Sequence, residues 1–267
     1  MTRIVIAGFV VALLLALPTT QAQQPVPTLT PTPGADFGAQ QTFKLLANDA
    51  AADDQFGFAL ALAGDVGLIG ARNSRSNGVA SGAAYLVDLS SGQQRAKLSP
   101  DDGATDDWFG AAVALNADIA LIGAPLHGTG GAVYVFDLTT GTQVSKWVPD
   151  DSAGGDGFGW SVALAGTRAV IGAPGDDDNG TDSGAAYVYD VTTATQLSKL
   201  RAQDGAAGDA FGWSVAASGD AGLVGAVYDD DNGPESGAAY VFNLTNGVQR
   251  IKLVPASSAQ PSGVPTA

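Results

Sequence analysis

An internal repeat of about fifty residues constrains this chain more than any other feature. The dipeptide Phe-Gly recurs in phase at 56–57, 109–110, 158–159 and 211–212. A tyrosine follows each Phe by 25 or 29 residues, and a lysine follows each tyrosine by 12. These pairs are Tyr85 and Lys97, Tyr134 and Lys146, Tyr187 and Lys199, and Tyr240 and Lys252. Four copies in phase at so many positions predict four copies of one supersecondary unit.

Each copy has the two-residue period of β-strands. Across 158–166, bulky side chains alternate with Gly, Ser and Ala, so one face of the predicted strand is large and the other small. Further strand patterns follow at 168–173, 183–191 and 195–200, and helical periodicity is absent outside the first 22 residues. A four-stranded unit that recurs in this way is typical of a propeller blade. We therefore predict an all-β chain, a β-propeller of about four four-stranded blades.

The last strand of each unit carries the recurrent lysine, and we interpret these lysines as protection of an outer edge strand against pairing with other molecules. Lys44 has the same spacing before the first Phe, which predicts a fifth outer strand. In a ring, this N-terminal strand would pair with the last blade and close the circle. An open stack of blades is the alternative.

The motifs resemble a known family. Phe-Gly opening the unit and Gly-Ala-Pro closing its second strand, at 123–125 and 172–174, resemble the FG-GAP repeats of integrin α-subunits and of bacterial exported proteins. The resemblance covers residues 43–256, although the first and fourth copies replace Ala-Pro by Ala71-Arg72 and Ala226-Val227. It implies a β-propeller, frequent calcium binding, and roles in adhesion or ligand binding. The calcium loop of integrin repeats lies between the first two strands, where this chain has only tight turns.

Acidic loops instead separate the second and third strands of copies 3 and 4. Alternate positions carry carboxylates that we predict as calcium ligands: Asp176, Asp178 and Asp182 in copy 3, and Asp229, Asp231 and Glu235 in copy 4. The other interpretation is a solvated hairpin that uses Asp, Asn and Gly for turn formation. Copy 1 has Arg75 in this loop and copy 2 has a shorter loop with His127, so the blade itself does not require the acids.

The two ends of the chain differ from the repeats. Residues 1–22 have a basic start, an apolar run and small residues for cleavage, which predicts a signal peptide and no membrane span after cleavage; a retained membrane anchor is the alternative. Residues 23–41 predict a Pro/Thr-rich linker and 257–267 a flexible tail, around a repeat domain at 42–256. Its predicted repeats are about 43–94, 95–143, 144–196 and 197–253. We expect secretion to the periplasm or the cell exterior.

Composition limits the chemistry. There is no cysteine and one histidine, His127, in a glycine-rich loop without a nucleophile motif, so we predict no catalytic residue. The net charge of −15 disfavours nucleic acid as a partner. An Asp lies seven and two positions before each Phe, and its fourfold recurrence favours turn capping over catalysis. Core packing is the simplest prediction for Trp108, Trp160 and Trp213 beside the Phe-Gly motifs; sugar stacking is the alternative and would require them to be exposed.

The sequence thus predicts a secreted, non-catalytic binding or adhesion module, with calcium-stabilised blade loops and an extracellular protein or glycan as ligand. A structural or assembly scaffold, which would allow oligomers, is the alternative function. A hydrolase that uses paired carboxylates is disfavoured, because nothing marks one acidic pair as unique.

Overall fold

The computed structural model describes residues 44–76 and 79–255, and these contain sixteen β-strands and no helix. The strands are β1 Ala59–Ala63, β2 Val66–Ala71, β3 Ala83–Asp88, β4 Gln94–Leu98, β5 Ala112–Leu115, β6 Ile119–Ala124, β7 Ala132–Asp137, β8 Gln143–Trp147, β9 Ser161–Ala165, β10 Arg168–Ala173, β11 Ala185–Asp190, β12 Thr195–Leu200, β13 Phe211–Ser218, β14 Ala221–Ala226, β15 Ala238–Asn243 and β16 Val248–Leu253. The predicted signal peptide at 1–22, linker at 23–41 and tail at 257–267 lie outside the described residues. Within the described ranges, no helix of membrane-spanning length and hydropathy occurs.

The strands form four separate four-stranded sheets, and each sheet is an antiparallel meander in chain order. We number them sheets 1 to 4 from the N-terminal side. The third and fourth strands of every sheet share the same irregularity, a register shift between the fourth and fifth residues of the third strand. One sheet per sequence repeat confirms the predicted all-β fold with four four-stranded blades.

The core lies between the sheets rather than inside any one of them. Three buried clusters occupy the three junctions between consecutive sheets. At the first junction, Phe109, Ile122 and Tyr134 of sheet 2 pack on Leu68 and Leu86 of sheet 1. Contacts between neighbouring sheets concentrate on the first strand of each, so the sheets converge at these inner strands. The alternation of large and small side chains in the sequence supplies the complementary faces.

The Phe-Gly motif joins consecutive sheets instead of simply beginning a strand. The Phe109 backbone N–H donates to the Ser81 carbonyl of the previous sheet, and Phe158 and Phe211 do the same with Gly130 and Ser183. The following glycine has a positive φ, +95° at Gly159, which turns the chain before β9 starts at Ser161. The prediction of one continuous strand from Phe158 was therefore wrong for this copy.

The four sheets form an open series in the described residues. The inner strands contact each other in the order β1, β5, β9 and β13, whereas β1 and β13 do not form a junction of this kind. Residues 44–50 contain no strand, and residues before 44 lie outside the described part of the chain, so the predicted closing strand around Lys44 is not found where the structure describes it. Sheet 4 already has its own fourth strand, because β15 is paired with β16.

Candidate functional site: lysine clusters and an aromatic row

The recurrent lysine on the last strand of each sheet lies inside a cluster of acidic and phenolic groups, which we call the lysine cluster. From here on, repeats are numbered by their sheets, so Lys199 on β12 belongs to repeat 3. In repeat 3 the Lys199 Nζ lies 2.8 Å from Asp151 Oδ2 and 2.7 Å from Asp176 Oδ2 and Asp178 Oδ2. The Tyr187 hydroxyl donates to Asp176 Oδ2 over 2.9 Å. Asp176 and Tyr187 are buried. Through its contacts, Lys199 on the outer strand β12 is joined to the acidic loop that holds Asp176 and Asp178, and to the segment before β9 that holds Asp151.

The other three repeats build the same cluster with different partners. In repeat 4, Lys252 pairs with Asp204, Asp229 and Asp231. In repeat 1, Lys97 pairs with Asp49 and donates to the Ser74 hydroxyl, because serine stands at the position of Asp176.

In repeat 2, the single histidine of the chain, His127, completes the lysine cluster. Lys146 Nζ lies 2.7 Å from Asp102 Oδ2 and 2.6 Å from His127 Nε2, and His127 Nδ1 lies 2.8 Å from Asp107 Oδ2. The tautomer that satisfies both contacts carries its proton on Nδ1 and accepts from the lysine on Nε2. His127 therefore acts as a structural link in the shortened loop.

The recurrent lysines are paired with carboxylates instead of standing free on the outer strand, so their interpretation as protection of an edge strand was wrong. Burial of Lys199 disfavours its charged form, but the hydrogen bonds to Asp151, Asp176 and Asp178 outweigh burial and raise the pKa of this lysine. Lys252 has its pKa raised by the same balance of burial and carboxylate hydrogen bonds. The ammonium groups of Lys199 and Lys252 are thus held in their charged form by the carboxylates around them.

The predicted calcium ligands are only partly brought together. Asp176 and Asp178 meet Asp151, with one oxygen of each within 4.8 Å of the others, but Asp182 does not join them. The Asp182 backbone N–H instead donates to Asp177, and its side chain is exposed. In repeat 4, Glu235 is likewise exposed and takes no part in the Lys252 cluster.

The donor set does not fit calcium while the lysine is in place. The Lys199 ammonium lies among the three carboxylates, where a calcium ion would need six to eight oxygens at roughly 2.3–2.6 Å. A calcium ion would have to displace this group. Calcium binding at the loops therefore stays a prediction from the sequence.

Calcium titration of the whole protein tests this point. We expect calcium to raise the melting temperature of a Lys199→Met variant more than that of the wild type, because the variant presents three carboxylates without an internal cation. Calorimetry with chelator-treated protein measures the binding directly. Saturable binding of two ions per wild-type chain would contradict the assignment of these acids to the lysines.

The Asp two positions before each Phe caps a turn, as predicted from its recurrence. The Asp156 carboxylate accepts the Ala153 backbone N–H over 2.7 Å, and the same bond recurs at Asp54, Asp107 and Asp209. All four side chains are buried. Burial, with the nearby charge of Asp176, raises the pKa of Asp156.

These clusters make stability depend on acid pH. Burial disfavours the charged form of Asp151, but the hydrogen bond and charge of Lys199 together with the Tyr187 hydroxyl outweigh burial and lower the pKa of Asp151 below the ordinary value of 3.8. The equivalent acids Asp49, Asp102 and Asp204 also have a lowered pKa. Their contribution is present above about pH 3.8 and is lost as pH falls through the lower folded-state pKa. The raised pKa values of Asp156 and Asp209 act in the opposite sense, since their contribution is lost as pH rises.

We expect the free energy of unfolding to fall when pH is lowered from about 5 to about 3, because cluster acids outnumber the opposing pair. Urea unfolding at both pH values measures the change. An Asp151→Asn variant serves as the control, since it lacks one of the titrating carboxylates and its decrease should be smaller. An equal decrease in both proteins would contradict this role of Asp151.

A second constellation, which we call the aromatic row, runs across all four sheets. It consists of Phe58, Trp108, Trp160, Trp213 and Tyr228. Ring centres lie 6.5 Å apart for Trp108 and Trp160, 4.9 Å for Trp160 and Trp213, and 5.8 Å for Trp213 and Tyr228. The Arg72 guanidinium bridges the remaining gap, 3.9 Å from the Phe58 ring centre and 4.2 Å from that of Trp108.

The row is accessible, which corrects the prediction that its tryptophans are core residues. Trp213 is 37% exposed and Phe58 47%, while Trp108 and Trp160 are half-buried. Two concave sites of about 240 and 350 Å³ lie along the row and share Trp160 and Trp213. Pro125 and Pro174, the last residues of the Gly-Ala-Pro motifs, line them.

One residue of the row is held in a strained conformation. Three repeats place their aromatic residue two positions after Phe, but repeat 2 has Ala111 there. Its aromatic residue is Trp108, directly before Phe109, with φ +59°. A bulky residue in this region costs about 1–3 kcal/mol. The residue before Phe has a positive φ in every repeat, as at Gln55 and Ala210, so repeat 2 completes the row from a backbone position that all four units hold in this conformation.

Comparisons with known proteins agree with this architecture, which defines a β-propeller-like repeat protein. The family model described as "FG-GAP repeat" matches residues 39–87, 93–136, 142–189 and 194–242. The chain belongs to the FG-GAP repeat family, and the predicted resemblance is confirmed. A search of curated proteins found no match.

Among solved structures, the chain is similar to hydrazine synthase of Kuenenia stuttgartiensis, with a TM-score of 0.55 and 13% identity. The match covers 80% of this chain and 53% of that protein, so the chain spans about half the length of its structural relative. At this identity the likeness supports the fold alone.

Proposed function

We propose that this protein is a non-catalytic binding module whose ligand is a neutral polysaccharide that lies along the aromatic row. The observation that carries the proposal is the continuity of the row, because five aromatic side chains from four repeats form one accessible surface. Flat aromatic faces offer apolar contact to the C–H faces of sugar rings, and a shallow row suits a chain better than a small molecule.

Charge supports an uncharged ligand. The net charge of −15 opposes anionic polymers, and Arg72 is already engaged by two rings of the row. The recurrent acids support a non-catalytic role, since the lysine clusters and the turn caps engage them in every repeat. The leader predicted at 1–22 and the FG-GAP family support a place outside the cytoplasm, where such polymers occur.

Binding of the full chain to a panel of soluble polysaccharides tests the proposal. For a polymer that binds, we expect a Trp160→Ala, Trp213→Ala double variant to lose at least about tenfold in affinity, equal to about 1.4 kcal/mol. Val144→Ala is the matched control, because Val144 is 58% exposed on β8 and lies outside the row. Equal affinities of the two variants, or binding of anionic polymers only, would overturn the proposal.

A further inference from the structure

Both end faces of the sheet series leave apolar residues uncovered that the three internal junctions bury. On the face that each sheet presents to its successor, Leu68, Leu121 and Val170 are 0% exposed, but Leu223 of sheet 4 is 40% exposed. At the end of the outer strand, Leu98, Trp147 and Leu200 are at most 3% exposed, but Leu253 is 49% exposed. Sheet 4 therefore lacks a successor.

The opposite end of the series lacks a predecessor. Val113 and Leu115 of sheet 2 are 8% and 9% exposed, whereas Leu60 and Leu62 at the same positions of sheet 1 are 70% and 59% exposed. Phe56 is half-buried and Gly57 exposed, although the Phe-Gly pairs of the other three repeats are buried. Sheet 1 thus presents an uncovered Phe-Gly knob.

Sheet 4 carries the socket that this knob fits. At the internal junctions, the Phe-Gly pair lies against small residues of the preceding sheet, such as Ala71, Gly82 and Ala83 beside Gly110 and Phe109. The same positions of sheet 4 are Ala226, Gly237 and Ala238. With Gly225 and Leu253, these residues line an open concavity of about 630 Å³.

Backbone hydrogen bonding shows the same complementarity. Each internal Phe donates its N–H to the residue that precedes the socket glycine: Ser81, Gly130 or Ser183. The fourth such acceptor is the Ser236 carbonyl, and no Phe of the described residues donates to it. The Phe56 N–H likewise has no backbone acceptor within the described part of the chain.

We propose that two copies of this chain associate head to tail, with the Phe56-Gly57 knob of each in the Gly225–Gly237 socket of the other. The occupant is a second copy because the internal junctions already show what this socket holds, and the chain itself supplies the matching knob. One copy keeps its own knob and socket apart, since β1 and β13 form no junction. Two copies give eight sheets, within the four to eight blades typical of propellers.

The convergence of the inner strands is compatible with closure, because sheets that approach at one edge are related by a rotation. A head-to-tail contact closes a ring where this rotation completes a full turn and continues as an open helix where it does not, and we place closure at two copies. The interface is heterologous, with different surfaces on the two sides, and each copy takes part in two such contacts. The aromatic rows of both copies would then line one ring.

Sedimentation of the full chain over a wide concentration range tests the proposal. We expect a species of twice the monomer mass, which a Leu60→Glu variant and a Gly225→Val variant each convert to monomer. Leu60 is exposed and Gly225 has no backbone of another sheet near it, so both variants should keep the far-ultraviolet spectrum of the wild type. Val144→Glu places the same charge on β8, outside the interface, and should remain dimeric.

Several results would overturn the two-copy ring. A wild-type monomer at every concentration excludes it, as does a dimer that both interface variants leave intact. Growth beyond two copies would indicate an open filament. Phe37-Gly38 repeats the dipeptide outside the described residues. A wild-type monomer that melts well above its Gly225→Val variant would assign the socket to a segment of the same chain.

Discussion

Replacement of Lys199 by methionine is expected to lower the free energy of unfolding by about 3–5 kcal/mol. Methionine keeps an unbranched, uncharged side chain as far as Cε, with sulfur in place of the δ-methylene, and removes the ammonium group. The Asp176 carboxylate is 2% exposed, and its remaining partners would be the Tyr187 hydroxyl and the Asp178 backbone N–H. A buried charge without its counter-ion accounts for the size of the effect.

Lys97→Met is the matched control, because repeat 1 places Ser74 where repeat 3 places Asp176. The remaining carboxylate, Asp49, is 48% exposed and stays hydrated, so we expect a loss of no more than about 1 kcal/mol. Urea unfolding of the two variants beside the wild type gives the comparison. Equal losses at the two sites would show that the buried carboxylate does not determine the energy of the cluster.

A methyl group at Gly172 is expected to destabilise the protein by about 3 kcal/mol, the upper part of the range for overpacking. A Cβ atom at this position would overlap the carbonyl oxygen of Gly212 on the next sheet. Neither strand can withdraw without opening the junction, because both glycines are fixed by sheet pairing and by the Phe-Gly turn. Thermal or urea unfolding of Gly172→Ala measures the loss.

Gly225 provides the control at the same position of sheet 4. A Cβ atom there meets only the Ser214 side chain, which can rotate, so Gly225→Ala should stay within about 0.5 kcal/mol of its parent. Both alanine variants are best compared in the Leu60→Glu background, in which we expect the chain to be monomeric. A large loss at Gly225 in this background would contradict the open face of sheet 4.

The repeat made most of the fold predictable. Strands of period two, four to a unit, follow from alternation and turn residues, and they require no knowledge of long-range contacts. The lysine spacing did mark the fourth strand of every sheet, since Lys97, Lys146, Lys199 and Lys252 all lie on such strands. It does not do so for Lys44 within the described residues, because a fourth strand needs a third strand beside it, which the spacing of a lysine alone does not supply.

The sites were less predictable, for a physical reason. Asp176 and Asp178 look like calcium ligands in the sequence, because carboxylates at alternate positions suit a cation. The cation that the structure brings to them, Lys199, lies 21 residues beyond Asp178 and reaches it only through the register of the outer strand. The constant spacing of tyrosine and lysine was the available signal, since it implied that both belong to one cluster.

The aromatic row was missed because a two-residue period places Trp160 on the face of Phe158. The positive φ of Gly159 breaks this period and turns Trp160 away from the core. Trp108 was harder to assign to the row, because it directly precedes Phe109, whereas Trp160 and Trp213 follow their Phe by two positions. A glycine directly after a core residue that recurs in every repeat is therefore a reason to end the predicted strand at that glycine.

The most direct test of polysaccharide binding at the row is acrylamide quenching of tryptophan fluorescence in a Trp147→Phe variant. Trp147 is buried and stacked on Tyr189, so this change leaves only the three tryptophans of the row as reporters. With a saturating polysaccharide from the binding panel, we predict a clear decrease in quenching, because the ligand covers the rings. Binding that leaves the quenching unchanged would contradict the assignment of the aromatic row as the ligand site.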